Sequence, residues 1–275
     1  MTNNSSQLRY KHYYLGLDIS TAKTGYSILN ENGKAIECGI IETQDINTTQ
    51  QFGHYMRDCF REIANRYKSE TEEDEWVVGA EEFLLKFRDH STANTISKLA
   101  NCNTLACYEC SNELPVKKLL KVNVNSARSF FNIKKMTGKK AKIDVKINVF
   151  NNMKHLLPSS YKIKTDKKGK THETNYDVTD SLLIALYTFV KFNVCHKEAK
   201  RLLQLFHETK DQEFKVEFLE VSNTLMGETA STMDDAQKVV HLIENYGTAR
   251  DYLFTKFKKT LQKEYSKVFK LKESE

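Results

Sequence analysis

Two short apolar runs in this chain each end on a carboxylate: Tyr13-Tyr14-Leu15-Gly16-Leu17-Asp18 and Trp76-Val77-Val78-Gly79-Ala80-Glu81. Runs of this length and composition read as strands buried in a sheet. An acid is seldom left in such a run unless something pairs with it. A third apolar run, from Ser181 to Leu186, follows two more acids, Asp177 and Asp180, and is long enough to read as a helix. Any fold for this chain must bury these three runs and find partners for their acids. A pair of divalent metal ions is one such partner.

The spacing between the runs fixes an order of elements. Residues 24–29 and 35–42 read as two further strands. They are joined by Asn30-Glu31-Asn32-Gly33, whose Asn-Gly pair marks a hairpin turn. Phe52, Tyr55, Met56, Cys59, Phe60, Ile63 and Tyr67 recur at helical spacing, predicting a helix over 50–68. Residues 70–75 read as an acidic loop. Ser91 or Thr92 caps a helix running to about Ser111. Residues 116–124 read as a strand, 143–157 and 178–192 as helices, and 158–175 as a flexible basic loop. The order β-β-β-α-β-α-β-α-α predicts an α/β fold with a mixed five-stranded sheet covered by helices. Residues 1–12 read as a disordered tail and 13–192 as one domain. Residues 193–275 read as a mostly helical extension, with helices over 197–208, 233–246 and 249–269 and a strand over 213–221.

Charge is distributed unevenly. Between Pro115 and His172 there are 16 Lys or Arg residues against two acids, Asp144 and Asp166. The first 114 residues hold 11 basic and 17 acidic residues. A clustered positive field is the footprint of a polyanion-binding protein, although a solvated Lys-rich loop has the same composition. No apolar run approaches the ~20 residues of a membrane span. The first residues are polar, so a secretory signal is not expected, and six cysteines then suggest reduced thiols and an intracellular protein. No Gly-rich phosphate loop is present, so no nucleotide cofactor is expected. Cys102, Cys107 and Cys110 have a spacing known from iron–sulfur sites, but they fall inside a helical pattern and read as packing residues. The aromatic stretch 252–269 reads as a packing face.

The acids suit one metal site. Asp177 and Asp180 are three apart and so share a helix face, close to the positive end of the helix dipole. Four carboxylates can hold two Mg²⁺ or Mn²⁺ ions, which prefer oxygen ligands. Strand alternation turns only one of Glu81 and Glu82 toward the site. With the basic segment beside it, this set reads as a metal-dependent nuclease.

The arrangement resembles the RuvC family of Holliday-junction resolvases, within the RNase H-like superfamily. The motifs that carry the resemblance are Leu15-Gly16-Leu17-Asp18-Ile19-Ser20 with Thr24-Gly25-Tyr26-Ser27-Ile28, Gly79-Ala80-Glu81-Glu82-Phe83-Leu84, and the stretch from Asp177 to Ala185. A basic element, Gly138-Lys139-Lys140-Ala141-Lys142-Ile143-Asp144-Val145, precedes the last of them. The resemblance covers about residues 14–192. It implies an RNase H-like fold and an endonuclease that resolves four-way DNA junctions as a homodimer. The helix over 92–110 would supply much of the dimer interface. It also implies metal ligands at Asp18, Glu81, Asp177 and Asp180, and DNA contacts by Lys142 with Lys139, Lys140 or Lys146. The family often places an aromatic wedge after its catalytic Glu; Phe83 and Phe87 are candidates for it here, with core packing the favoured role for either. Ser20 replaces the family's usual glycine, and its hydroxyl could assist a metal-bound water. Other nuclease targets, such as flaps, R-loops or structured RNA, fit the same residues. So does an inactive nucleic-acid-binding scaffold.

Overall fold

The computed structural model describes residues 10–46, 48–68, 73–82, 92–134, 141–196 and 258–269, with scattered positions between 208 and 255. The chain divides into two compact units with the boundary between Phe189 and Val190. The first unit is built on a five-stranded sheet. Its strands are β1 (Tyr10–Ile19), β2 (Lys23–Leu29), β3 (Ala35–Glu42), β4 (Glu73–Glu81) and β5 (Val116–Val122), in the order β3-β2-β1-β4-β5. β1, β2 and β3 pair antiparallel, while β4 pairs parallel with both β1 and β5. A three-strand meander extended by two parallel strands, with helices on both faces, is the RNase H-like arrangement.

Side chains alternate across β1 and β4. Tyr13, Leu15, Leu17 and Ile19 turn to one face with Trp76, Val78 and Ala80, where they join a core built from α1 (Thr49–Tyr67) and α2 (Ala93–Glu113). Cys102, Cys107 and Cys110 belong to this core, as a packing role requires. Thr48 opens α1 with a complete capping box: its hydroxyl accepts from Gln51 N and the Gln51 side chain accepts from Thr48 N.

The opposite face carries α5 (Thr174–His196), in which every residue from Asp177 to Val190 is buried. Its inner side rests on glycines. A Cβ on Gly16 would meet Ser181 O and lie 2.5 Å from Ala185 N, and one on Gly25 would meet the Asp177 carbonyl. Backbone-to-backbone seating of this kind needs glycine. Ser27 completes the contact by hydrogen bonding to Ser181 Oγ at 2.8 Å. Two smaller helices, α3 (Val124–Phe130) and α4 (Ala141–Met153), cover α5, with Phe130 edge-on to Tyr187 and Phe150 edge-on to Tyr176.

Several elements differ from the sequence-based expectation. β1 begins at Tyr10 and β4 at Glu73, because residues 10–12 pair in parallel with Glu73–Glu75. Glu75, expected in an acidic loop, is held in its strand by Lys117 at 2.7 Å and His12 at 3.2 Å. The strand expected to reach Val124 stops at Val122. Asn123 then caps α3, accepting from the amides of Asn125 and Ser126. Residues 158–173, expected as a flexible loop, hold a small turn bridged between Thr165 and Thr171. Asn175 pins that turn by donating to the carbonyls of Lys164 and His172 and accepting from Lys164 N and Tyr161 Oη.

In the second unit the described helix is α6 (Lys258–Val268), where Leu261 and Tyr265 are buried and Tyr265 stacks on Phe269 at 5.9 Å. Residues 1–9, and nearly all those expected as helices over 197–208 and 233–246 and a strand over 213–221, lie outside the described residues.

Candidate functional site

The register between β1 and β4 ends at Leu17 beside Ala80. One step further, Asp18 and Glu81 stand side by side on the face that carries α5, where Glu81 helps to raise the Asp18 carboxyl. Glu82 turns away, exposed, and accepts from Asn123 Nδ2 at 3.2 Å. The Glu81 backbone is fixed from behind. Asn103 Nδ2 on α2 donates to the Glu81 carbonyl at 3.0 Å, and Lys121 Nζ on β5 donates to Asn103 Oδ1 at 2.7 Å.

Seating α5 on Gly16 and Gly25 brings its first turns over the same end of β1. Burial holds the Asp18 carboxyl well above the usual carboxylate range, and the charges of Asp180 and Glu81 push it further. Asp180 is also raised by burial and by Glu81, against the opposing charges of Arg128 and Lys146. The Glu81 charge therefore raises both Asp18 and Asp180, and the Asp180 charge raises Asp18 as well.

Asp177 stands differently. Lys146 Nζ on α4 donates to Asp177 Oδ1 at 2.6 Å, and Lys23 Nζ lies 3.1 Å from Asp177 Oδ2. Lys23 also reaches Glu173 at 2.9 Å, and that bond lowers the Glu173 carboxyl below its ordinary value. Burial works against the charge on Lys146. The bond to Asp177 and the charges of Asp177, Asp180 and Asp18 outweigh it, and the ammonium is raised above its ordinary value. A second cation enters from α3, where an Arg128 guanidinium N–H donates to Asp180 Oδ1 at 3.1 Å. Arg128 Nε is buried beside it without a hydrogen-bond partner.

The structure thus brings Asp18, Glu81 and Asp180 together and places Asp177 nearby in an ion-pair network. Among the described residues, no group of three or more His, Cys, Asp or Glu side chains stands in a geometry that could hold a metal ion. The donor set nevertheless suits a hard divalent cation, being all carboxylate oxygen, half-buried to buried and crowded with like charge. Two of the four acids are compensated by cations: Asp177 by Lys146 and Lys23, and Asp180 by Arg128.

Of the other residues singled out in the sequence, Ser20 uses its hydroxyl in the β1–β2 turn, donating to Lys23 O at 2.7 Å and accepting from Lys23 N at 3.2 Å. Lys142 lies in the first turn of α4, with its side chain outside the described residues. Lys139, Lys140, Phe83 and Phe87 lie outside them as well. Arg128 and Lys23 were not anticipated. Arg128 sits on a helix too short to show helical periodicity, and Lys23 is an isolated base at a strand start.

No family model matches the sequence, and no curated protein matches it. Among solved structures, Thermus thermophilus RuvC in complex with a Holliday junction substrate aligns over 64% of this chain and 90% of its own, at 15% identity and TM-score 0.36. Thermus thermophilus RuvC also aligns in a second structure, over 63% and 91%, at 14% identity and TM-score 0.37. The yeast mitochondrial Holliday junction resolvase Ydc2 aligns over 67% and 80%, at 13% identity and TM-score 0.41. Overlaps this loose carry no weight for chemistry, which rests on the side chains. Among the described residues, no helix is long and apolar enough to cross a membrane.

Proposed function

We propose that this protein is a structure-selective endonuclease that resolves four-way DNA junctions by metal-assisted phosphodiester hydrolysis. The observation that carries the reading is the cluster of half-buried Asp18 and Glu81 with buried Asp180 at the sheet end, with Arg128 on Asp180 and with Lys146 and Lys23 on the neighbouring Asp177. Carboxylates crowded with like charge are stabilised by a divalent cation more than by any single ammonium. Asp18, Glu81, Asp180 and, once released by Lys146, Asp177 would hold two Mg²⁺ or Mn²⁺ ions. Such a pair supplies a clamp on the attacking and leaving oxygens of a phosphodiester.

The chain's own residues do the rest. Glu81 is held in place through its carbonyl by Asn103, so its carboxylate is presented from a fixed backbone. Lys146 has two competing partners, the Asp177 carboxylate and an incoming phosphate. Moving from one to the other couples strand binding to completion of the acid set. Arg128 stays against Asp180, placing a fixed positive charge where negative charge builds up in the transition state. The basic stretch that includes Lys139, Lys140 and Lys142 contacts the DNA backbone, and a homodimer places two such sites on the two strands to be cut.

The test is cleavage of a synthetic four-way junction in Mg²⁺ or Mn²⁺ by the wild-type chain and by Asp18→Asn. Specific nicking by wild type that Asp18→Asn abolishes supports the reading; equal activity, or none from wild type in Mn²⁺, refutes it. The ion pairs that occupy Asp177 favour one second reading, a binding scaffold of the same fold. It would bind junctions with undiminished affinity yet show no Mn²⁺ binding by calorimetry.

A further inference from the structure

Between the N-terminal ends of α1 and α2, on the other face of the sheet from α5, lies a groove of about 230 Å³. Hydroxyls from Thr21, Thr49 and Ser97, amides from Asn94 and Asn101, and the Lys98 ammonium line it, over a floor of Ile46 and Phe52. None of its described lining residues is acidic. Neither α1 nor α2 has an acid in its first turn; each is capped by a neutral threonine, Thr48 and Thr92, so the positive ends of the two helix dipoles carry no side-chain counter-charge. Among the described residues Lys98 makes no ion pair, in contrast to Lys23, Lys117 and Lys146. A donor-rich, acid-free groove with one lysine and an apolar floor suits a sugar–phosphate step, with phosphate on the donors and sugar on the floor.

The groove is close to the acid cluster. Thr21 follows Asp18 by three residues, so their Cα atoms are separated by at most about 11 Å. At a rise of about 3.4 Å per nucleotide, this is within roughly three nucleotides along a strand. We infer that the groove holds the phosphodiester backbone of the nucleic-acid strand that continues from the bond presented to Asp18 and Glu81. This inference rests on the proposed nuclease function and adds a strand-binding site on α2, away from the basic segment. The groove sets the path of the strand, and so contributes to the choice of branched over linear DNA.

The test uses the full chain carrying Asp18→Asn, which prevents cleavage, and a fluorescent four-way junction titrated from 50 to 200 mM salt without divalent metal. Neutralising one phosphate fewer lowers the slope of log affinity against log salt by about 0.9. Adding Lys98→Gln should therefore reduce the fall in affinity across this fourfold range by about 3.5-fold. Ser97→Trp, which fills the groove without changing charge, should weaken binding with the slope reduced in the same direction. Lys34→Gln, in the exposed β2–β3 turn at the far end of the sheet, should leave the slope unchanged. If the parent binds the junction and Lys98→Gln matches Lys34→Gln, the groove assignment is overturned and the nuclease reading stands. If the parent binds no junction at any salt, the nuclease reading falls and takes this inference with it.

Discussion

Gly16→Ala tests the seat of α5 and, through it, the acid cluster. The added Cβ would press on Ser181 O, 2.5 Å from Ala185 N and 2.8 Å from Ala185 Cβ. These are helix backbone and a methyl with no rotamer to change, so none can swing aside. Restoring ordinary contact at about 3.5 Å requires α5 to lift by about 1 Å. Overpacking of this kind costs about 1–3 kcal/mol, partly offset by the about 0.5–1 kcal/mol that alanine gains over glycine in a strand. The net cost of about 1–2 kcal/mol lowers Tm by about 2–8 °C in a domain of this size. The functional effect is larger, because Asp180 rides on α5 and Asp18 on β1. A misplacement of about 1 Å between catalytic groups costs on the order of 100-fold in rate. Thermal denaturation by circular dichroism and junction cleavage in Mn²⁺ measure the two effects. Gly53→Ala is the control: on α1 its Cβ meets nothing nearer than 3.7 Å, and it should stabilise by about 0.5–1 kcal/mol. A Gly16→Ala protein that melts and cleaves like wild type would refute the seating of α5.

Three further outcomes follow from the ion pairs. Lys146→Met frees Asp177 from its 2.6 Å partner, so without DNA, calorimetry should show Mn²⁺ binding tighter by roughly tenfold, while junction affinity falls; unchanged Mn²⁺ binding would remove Lys146 from the site. Arg128→Gln leaves the Asp180 carboxylate buried with its main counter-charge gone, at a cost of about 3 kcal/mol. Since the Asp180 carboxyl is already raised, protonation removes that penalty, so in chemical denaturation the destabilisation should shrink as pH falls through the raised value. Burial raises the Glu37 carboxyl, but hydrogen bonds from Tyr26, Arg66 and Tyr67 outweigh it and hold the group below its ordinary value of 4.5. Its contribution is therefore present above pH 4.5 and lost as pH falls through the lowered value. Glu37→Gln should cost about 1.5–3 kcal/mol at pH 7 and progressively less in acid, read by urea titration at each pH.

Strands β1 and β4 were legible because an apolar run can do little but enter a sheet, and the parity that faces Leu15 and Leu17 to the α1–α2 core faces Gly16 and Asp18 to α5. The hairpin through Gly33 was legible from its Asn-Gly pair, and Gly33 adopts φ 75°. Strand ends were less legible. Glu73–Glu75 look like loop until His12 and Lys117 are seen beside them, and those contacts are long-range. The choice between Glu81 and Glu82 depended on parity relative to β1, which only the register supplies. Arg128 and Lys23 were hidden for another reason. A cation that compensates an acid leaves no periodic trace, because the pairing crosses 52 residues for Arg128 and Asp180.

The proposed nuclease function requires that the Asp18, Glu81, Asp177 and Asp180 carboxylates take up divalent metal once Lys146 gives way. Anomalous diffraction from crystals soaked in Mn²⁺ tests it most directly. The account predicts peaks between Asp18 and Asp180, with Lys146 drawn away from Asp177. Saturating Mn²⁺ with no peak at Asp18, and with Lys146 still bound to Asp177, would contradict it.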